Sequence, residues 1–333
     1  MVPGPKEVLV TSSGVTAVIP NWNGASILGG LLASTRAQTR PFDRVIVVDN
    51  GSGDNSRDVA QMTGAEVIAL DRNFGFAVAV NRGIAVARTE WIAILNNDLE
   101  LDREWLARIL DGAGDSWFAV GKILSQQNHQ TIDGTFDHLS RAACAWRAGA
   151  GRPDGEIWQH PRLVHFAPLT AALVRREVFN RVGMLDERFQ SYLEDVEFGL
   201  RCASNGYNGV YLPEALAYHK GSATLGHWHP RTVRYISRNQ VLLLAKHYPS
   251  ELLREFGWAI AVGQLLWGAV AFRHLRGLSW LAGKWEGLRL YRETRTPGSL
   301  QVADVIRASE SELLSLQREV GSDWYWRIYA ALT

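Results

Sequence analysis

The sequence predicts an α/β protein built on a mainly parallel sheet, with a helical extension toward the end of the chain. Short β-branched runs alternate with helical stretches from Val15 onward, which is typical of βαβ units. The first four runs are each followed by Asn or Asp, as expected where parallel strands bring polar side chains to one edge of a sheet. The 333 residues suffice for one large α/β domain with an appendage, and length alone would permit two domains.

The individual elements follow from these patterns. Strands are predicted at residues 15–20, 44–49, 65–70 and 91–95, and helices near residues 25–37, 54–63, 76–88 and 102–112. Residues 113–165 show no clean periodicity and are expected to be irregular. An apolar segment at 166–174, a helix at 196–205 that Gly206 ends and a last strand at 209–212 complete this part of the chain.

Polar side chains follow each of the four early strands. They are Asn21 and Asn23 after the first, Asp49, Asn50 and Ser52 after the second, Asp71, Arg72 and Asn73 after the third, and Asn96, Asn97 and Asp98 after the fourth. Any single one of these residues would indicate only a turn. Four such groups in succession at the same edge favour a ligand site at the carboxyl ends of the strands.

Composition excludes several classes of protein. With 47% hydrophobic and 21% charged residues, the chain is neither disordered nor an ordinary multi-span membrane protein. A net charge of +1 gives no reason to expect a nucleic-acid partner. Cys144 and Cys202 form no metal or disulfide pattern, which favours a reducing compartment. The first residues contain no continuous apolar run, so we expect no signal peptide and a cytoplasmic protein.

The region after about Arg231 differs in character. Between residues 231 and 295 there are eleven Lys or Arg against four Asp or Glu, together with four Trp. Within it, residues 256–272 form a 17-residue apolar run, short of the ~20 residues that cross a bilayer, and basic residues flank it on both sides. We expect helices lying on the inner face of an anionic membrane. A helix buried against the rest of the protein, or a homodimer interface, are the alternatives. The tail, residues 299–333, is predicted to be helical.

Three motifs carry candidate chemistry. Asn96-Asn97-Asp98 ends a buried strand, a position suited to a hard cation such as Mg²⁺, which is commonly held by one or two carboxylates and substrate phosphates. Glu194-Asp195 is a candidate general base, although acidic residues at a helix start also interact favourably with the helix dipole. That simpler interpretation applies more strongly to Glu197. His219 follows the last strand, where it is either structural or a metal ligand.

Six segments then occur in a recognisable order. They are VIPNWNG, VIVVDNGSGDNS, RNFGFAVAVNRGI, ILNNDLELD, GMLDERFQSYLEDVEFGLRCASNGY and YLPEALAYHKGSAT. In this order they resemble the family 2 glycosyltransferases of the GT-A fold, and most of all the bacterial rhamnosyltransferase-like branch. The resemblance covers roughly residues 15–225 and implies a Rossmann-like GT-A catalytic domain at 1–228. Within it, 15–112 would bind the nucleotide-sugar and 113–228 would hold the acceptor and catalytic part, with a helical region at 229–333.

The resemblance also implies roles for individual residues. The donor site would be lined by Pro20, Asn21, Asn23, Asp49, Asn50, Ser52, Arg72, Asn73, Gly75, Phe76, Asn81, Asn96 and Asn97. Asp49 would accept a hydrogen bond from the imide of a uracil or thymine base. Asp98 would take the metal position of a DXD-type motif, in which Asn96 replaces the usual first Asp and removes one charge. Asp195 would be the catalytic base with Glu194 in support, and His219 would complete the metal and diphosphate site.

The resemblance therefore implies an inverting enzyme that uses Mg²⁺ or Mn²⁺ and a dTDP- or UDP-sugar, with dTDP-rhamnose favoured and UDP-hexoses open. The acceptor would be a glycan or lipid-linked glycan of the cell envelope. The absence of a QxxRW motif favours transfer of one or a few sugars. Trp146, Trp158 and Asp133 are candidates for contact with a sugar ring, although a core role is equally consistent with each Trp.

Two other functions fit the sequence less well. A nucleotidyltransferase would need a basic, Gly-rich loop after the first strand, and Asn21-Trp22-Asn23-Gly24 lacks the basic residue. An inactive sugar- or membrane-binding scaffold is suggested by Asn96, whereas the presence of Asp98, Asp195 and His219 argues against lost activity.

Overall fold

The computed structural model describes residues 14–221 and 228–333. The strands are β1 (Val15–Asn21), β2 (Arg44–Asp49), β3 (Glu66–Ala69), β4 (Trp91–Leu95), β5 (Leu99–Leu101), β6 (Phe118–Ser125), β7 (Ile132–Gly134), β8 (Asp137–Leu139), β9 (Ala145–Arg147), β10 (Arg162–Val164), β11 (Ala171–Arg175) and β12 (Gly209–His219). The helices are α1 (Leu28–Arg36), α2 (Ser56–Met62), α3 (Phe76–Val86), α4 (Trp105–Ala113), α5 (Arg176–Val182), α6 (Glu194–Ser204), α7 (Pro230–His247), α8 (Ser250–Glu255), α9 (Gly257–Arg273), α10 (Gly277–Thr294), α11 (Gln301–Glu319) and α12 (Trp324–Leu332). Residues 222–224 of the last sequence motif, and the N-terminal residues for which no signal peptide is expected, lie outside the described ranges.

One mixed sheet forms the centre of the molecule, with strands in the order β10-β12-β6-β11-β4-β1-β2-β3. Strands β3, β2, β1 and β4 run parallel, as do β6 and β12, while β11 runs antiparallel between β4 and β6. The mainly parallel α/β sheet predicted from the sequence is confirmed. Because β1 and β2 end in register, Asn21 pairs with Asp49 at the carboxyl edge.

Alternate side chains of the central strands pack against helices on opposite faces of the sheet. Val18 lies in the same cluster as Val80 of α3, whereas Ile19 clusters with Leu28 and Leu31 of α1. Both faces are thus covered, which explains why the parallel strands are continuous apolar runs rather than alternating ones. The four early strands and four early helices lie where the sequence predicts them, within a few residues at each end.

The prediction that residues 113–165 are irregular was wrong. They contain β6, an eight-residue strand between β11 and β12, and the short strands β7 to β10. The apolar pattern of β6 is interrupted by Lys122, which is buried because its ammonium pairs with Asp154 at 3.0 Å. The last strand is also longer than predicted, since it continues to His219 through an irregular register between Leu212 and Leu216.

The tail is helical, as predicted, and α7 to α12 pack on the sheet domain and on one another. Helix α9 buries Ala259 and Val262 in a cluster with Ala142 and Tyr329, so one face of the predicted apolar run is a protein contact. Trp258 and other apolar side chains on the opposite face are exposed. Within the residues described, no helix combines the length and hydropathy needed to cross a membrane.

Helices α6 and α7 are joined by buried ion pairs around Glu197. Its carboxylate contacts Arg201 at 2.8 Å, Lys246 at 2.7 Å and His247 at 2.9 Å, and its side chain is fully buried. Burial would raise the pKa of Glu197, but the hydrogen bond from His247 and the charge of Arg201 hold it well below the ordinary value. Glu197 is therefore a structural group that connects α6 to the helical region.

Replacing Glu197 with Gln should destabilise the fold by about 3 kcal/mol or more, because buried cations would lose their partner. Chemical denaturation at neutral pH would measure the loss. Since the folded pKa of Glu197 is lowered, its contribution is present at neutral pH and disappears as pH falls through that lowered pKa.

The matched control is Glu177→Gln, which removes another Glu–Arg pair spaced four residues apart, this time exposed and with Arg181. It should leave the denaturation midpoint close to that of wild type, because solvent screens an exposed pair. Equal effects of the two substitutions would contradict the structural role of Glu197.

Candidate active site

The carboxyl edge of the sheet forms a hydrogen-bonded rim. The Asn97 amide donates to Asn21 Oδ1 at 2.7 Å, and the Asn21 amide donates to Asp49 Oδ1 at 3.3 Å. Gly24 lies directly over this link, since a Cβ there would fall 2.2 Å from Asn21 Oδ1 and 2.4 Å from Asn97 Nδ2. Side chains from β1, β2 and the loop after β4 are thus brought together as the sequence predicts.

Asp49 lies beneath this rim as a fully buried carboxylate. Burial raises its pKa, but hydrogen bonds from Ser52 and from Arg57, at 2.7 Å, outweigh that effect and lower it. Ser52 Oγ in turn accepts from the backbone N–H of Asn23 at 2.8 Å. Asp49 is therefore ionised and already engaged by protein donors, and its contact with a nucleotide base stays a prediction.

The loop before α3 is held by Asn50. Its amide donates to Asn73 Oδ1 at 3.1 Å and to the Gly75 carbonyl at 3.0 Å, and its oxygen accepts from Phe74 N–H at 2.9 Å. Gly75 has φ of 97°, and a Cβ there would lie 2.9 Å from the carbonyl oxygen of Gln190. The donor-side loop and the segment before α6 consequently approach each other with no room for a side chain.

The start of α3 is tied to that same segment. Phe76 N–H donates to Ser191 Oγ at 3.3 Å, and Asn81 bonds both backbone groups of Leu185 while its amide also reaches Glu187 at 3.1 Å. Asn81 is buried, so its contacts position the protein chain rather than a ligand.

Three further predicted donor-site residues are less constrained. Pro20 is half-buried in β1, opposite Val48. Arg72 is exposed, with its guanidinium 4.7 Å from the ring centre of Phe74. Asn96 is half-buried, and its backbone N–H donates to the Thr170 carbonyl at 2.8 Å.

Asp98 and His219 meet, as the sequence predicts, and Asp133 completes the group. His219 Nε2 lies 3.0 Å from Asp98 Oδ1, and Nδ1 lies 2.8 Å from Asp133 Oδ2. Burial lowers the pKa of His219, but the hydrogen bonds to Asp133 and Asp98 raise it to about 9. Asp133, a candidate for sugar contact, bonds His219 through Oδ2, and its contact with a sugar stays a prediction.

These residues fit a divalent cation as two protein ligands. Across residues 14–221 and 228–333, no group of three or more His, Cys, Asp or Glu side chains is arranged to hold a metal. A site built from Asp98 and His219 would need substrate phosphates to complete it, as is common for Mg²⁺. Because Asp133 bonds Nδ1 of His219, Nε2 of the ring faces Asp98. Carboxylate partners orient metal-bound histidines in the same way.

The segment before Glu194 has an unusual backbone. Gln190, Tyr192 and Leu193 all have positive φ, between 61° and 70°, which costs free energy for residues with side chains. Asn239 of α7 compensates, because its amide donates to the carbonyls of Phe189, Ser191 and Tyr192 at 2.6–3.0 Å. A buried side chain of the helical region therefore sets the conformation of the loop that leads to Glu194 and Asp195.

Asp195 lies at the start of α6, facing Arg147. Its Oδ2 is 3.6 Å from the guanidinium, which also bonds Asp137 at 3.1 and 3.3 Å. Burial and the negative charge of Asp137 raise the pKa of Asp195 to about 6, although Arg147 lowers it. A carboxylate with a pKa near neutrality, not yet bonded to Arg147 at hydrogen-bond distance, suits proton transfer.

Glu194 is buried beside Asp195, and its Oε2 has no hydrogen-bond partner among the described residues. Burial and then the charge of Asp195 raise the pKa of Glu194 well above its ordinary value. The two carboxyl groups therefore compete for one negative charge, which Arg147 stabilises.

The Glu194–Asp195 pair and the group of Asp98, His219 and Asp133 have neighbouring residues in common. Burial lowers the pKa of Arg147, whereas Asp137, Asp195 and Asp133 raise it, so the guanidinium is close enough to respond both to Asp195 and to the carboxylate that bonds His219. Tyr192 likewise has its pKa raised by burial and by the charges of Glu194 and Asp98, against its hydrogen bond with Thr232. Asp98, Asp195 and His219 thus lie around common neighbours, although 121 residues separate Asp98 from His219 along the chain.

Sequence reasoning missed Arg147, Asp137 and Asn239. None belongs to a recognisable motif, and Arg147 and Asp137 meet only because β8 and β9 pair in register. The suggestion that Trp158 contacts a sugar was wrong, because its side chain is buried in the core with Phe136 and Tyr211. Trp146 is half-buried and stacks on His138.

Comparison with known proteins gives the family. The family model described as glycosyl transferase family 2 matches residues 16–183, just over half of the chain. The chain belongs to glycosyl transferase family 2. This glycosyltransferase is 27% identical, over 277 residues, to N-acetylglucosaminyl-diphospho-decaprenol L-rhamnosyltransferase of Mycobacterium tuberculosis, covering 68% of this chain and 80% of the relative. It is also 30% identical to the pre-mycofactocin glycosyltransferase of the same species, over 66% of this chain and 46% of that one.

Solved structures agree with the GT-A fold of this glycosyltransferase. GalNAc-T7 with UDP, GalNAc and Mn²⁺ superposes with a TM-score of 0.59 at 14% identity, covering 84% of this chain and 56% of that one. The mannosyltransferase PcManGT from Pyrobaculum calidifontis, with GDP-Man and Mn²⁺, gives a TM-score of 0.51 at 15% identity, covering 95% and 86%. The GT-A fold predicted from the motifs is confirmed.

Replacing Arg147 with Gln should raise the pKa of Asp195 from about 6 to about 7 or higher, because the nearest cation is lost while Asp137 remains. A carboxyl ¹³C NMR titration would measure it. Arg181→Gln, an exposed arginine on α5 that pairs with Glu177, is the control and should leave the pKa of Asp195 in place. A fall in that pKa in the Arg147 variant would contradict the assigned geometry.

Proposed function

We propose that this family 2 glycosyltransferase transfers rhamnose from dTDP-rhamnose, with inversion, to a glycan or lipid-linked acceptor of the cell envelope. The observation that carries the proposal is Asp195, a half-buried carboxylate of raised pKa that shares its neighbours with the Asp98–His219 pair. A base beside a diphosphate site is what a single displacement at an anomeric carbon requires.

In the proposed reaction Asp195 takes the proton of the acceptor hydroxyl. The hydroxyl oxygen attacks the anomeric carbon from the face opposite the diphosphate, the glycosidic bond breaks, and the nucleoside diphosphate leaves with that electron pair. Arg147 keeps Asp195 ionised at neutral pH and holds its carboxylate toward the site. Because its own pKa is raised, Glu194 would carry a proton while Asp195 carries the negative charge. The two carboxyl groups would then not repel each other.

The donor would lie along the rim formed by Asn21, Asp49 and Asn97, with its nucleoside near Asp49. A divalent cation, Mg²⁺ or Mn²⁺, would be held by Asp98 and His219 and would supply positive charge to the diphosphate leaving group. Asp133 would orient His219 for that role through the bond at Nδ1.

The choice of sugar and acceptor is supported by a relative. The mycobacterial protein is named for transfer of L-rhamnose to N-acetylglucosaminyl-diphospho-decaprenol, which is a lipid-linked sugar. At 27% identity a UDP-hexose donor is the second candidate, and a panel of nucleotide-sugars decides between them. A homodimer stays a prediction.

Peripheral contact with the cytoplasmic face of a membrane is part of the proposal. Leu278, Leu281, Trp285 and Leu288 form an exposed apolar stripe along one face of α10, and Arg289 and Arg292 lie beside it. Apolar side chains next to exposed arginines favour binding to anionic lipid.

Replacing Asp195 with Asn should reduce sugar transfer at least about a hundredfold while leaving donor binding nearly unchanged, because an amide cannot accept the acceptor's proton. Transfer and slow donor hydrolysis would be assayed on dTDP-rhamnose, UDP-glucose and UDP-galactose with Mn²⁺, and donor binding by calorimetry.

The control is Asp115→Asn, the same substitution at an exposed turn, which should behave as wild type. An Asp195→Asn variant that keeps most of its kcat would remove Asp195 from the reaction. Binding of dTDP or UDP with no transfer or hydrolysis by the wild type would indicate a scaffold instead.

The pH dependence of kcat/KM should follow Asp195. Since the working form is the carboxylate and its pKa is raised to about 6, activity should be low near pH 5, rise through about pH 6 and then level off. In Arg147→Gln the rise should move to higher pH. A profile that is flat between pH 5 and 7, in a protein shown to be folded by circular dichroism, would contradict the assignment.

A further inference from the structure

A cavity of about 520 Å³ lies between the N-terminal end of α7 and the first turns of α10. His229, which caps α7, lines it together with Arg231 and Arg234 of that helix, and Leu278 and Glu286 line it from α10. None of the rim residues of the donor site contributes to it. We propose that this groove binds the diphosphate of a prenyl-linked acceptor, an inference that rests on the proposed function.

The cavity is connected to the catalytic loop through Gln190. Gln190 lines the groove, and its side-chain oxygen accepts from Arg238 Nη1 at 3.2 Å. It belongs to the strained segment that leads to Glu194 and Asp195. A ligand in the groove would therefore contact the same segment of chain that leads to Asp195.

The charges in the groove favour an anion. Arg231 makes no ion pair or hydrogen bond through its side chain within the described residues, and Arg234 is half-exposed. Glu286 is the acidic member, but it already pairs with Arg234 at 2.8 Å and with Arg238 at 3.1 Å. The N-terminal end of α7, an 18-residue helix, adds its positive dipole end to these side chains.

The opposite edge of the groove is apolar. Leu278 is 82% exposed at the rim and begins the stripe that continues along α10 through Leu281, Trp285 and Leu288. The groove therefore places exposed arginines directly beside an apolar surface. A prenyl-linked acceptor carries its charged diphosphate directly beside an apolar chain, so the groove and this ligand match in charge and polarity.

The test uses farnesyl diphosphate as the probe, with inorganic pyrophosphate and farnesol as its separate halves. Titration in EDTA prevents a metal at Asp98 and His219 from recruiting the diphosphate to the donor site. Wild type should bind farnesyl diphosphate more tightly than either half. The variant Arg231→Gln/Arg234→Gln should lose about tenfold or more of that affinity, since hydrogen bonds to a charged group are removed.

The matched control is Arg318→Gln/Arg327→Gln, which removes the same charge from exposed positions on α11 and α12 outside the groove. It should bind farnesyl diphosphate as wild type does. Leu278→Ser should weaken farnesyl diphosphate but not pyrophosphate, whereas Leu265→Ser, at an exposed leucine of α9, should change neither.

Equal affinities in the two arginine variants would overturn the inference. So would loss of binding to phosphatidylglycerol vesicles in Arg231→Gln/Arg234→Gln with farnesyl diphosphate binding intact, which would assign the groove to membrane headgroups. Sugar transfer together with unchanged farnesyl diphosphate affinity refutes this inference alone. Binding in the groove without transfer to any acceptor refutes only the proposed function.

Discussion

The half-buried guanidinium of Arg147 provides the contacts on which the arrangement of the candidate catalytic carboxylates depends. Asp137, Asp195 and Asp133 all raise its pKa, and burial of so much negative charge would be unfavourable without a cation among them. The cost of desolvation is nevertheless visible in Asp195, whose pKa stays raised although Arg147 is 3.6 Å away. The site thus balances two opposing effects: burial that makes the carboxylate a better base and a cation that keeps it ionised near neutral pH.

The sheet could be read from the sequence because its central strands are uninterrupted apolar runs that end in Asn or Asp. Parallel strands bring their carboxyl ends to one edge, so the positions of Asn21, Asp49 and Asn97 followed directly. Strand β6 was missed for the opposite reason. Lys122 breaks its apolar pattern, and the charge is tolerated only because Asp154, 32 residues further on, pairs with it. Local periodicity contains no information about such a distant partner.

The residues of the candidate site also fall into those that the sequence predicts and those that depend on distant contacts. Asp98, Asp195 and His219 occur in motifs whose order resembles a known family, and the structure brings them around common neighbours. Arg147 and Asn239 act through contacts between segments 47 to 50 residues apart or across a hairpin, with no spacing that marks them in advance. The sequence therefore predicts the candidate reactive groups, whereas the residues that hold them in place are apparent only in the structure.

The contacts of Asn239 limit how far the sheet domain and the helical region can evolve independently. Three carbonyls of the loop before Glu194 depend on one amide from α7, and α6 is anchored to α7 by Glu197. Exchanging the helical region with that of a relative would therefore produce a chimera with a misaligned catalytic loop unless the new helix supplies an equivalent amide and an equivalent cation. Helix α7 and the loop it supports are expected to be inherited as a unit, whereas the exposed outer faces of α9 and α10 can change independently of that loop.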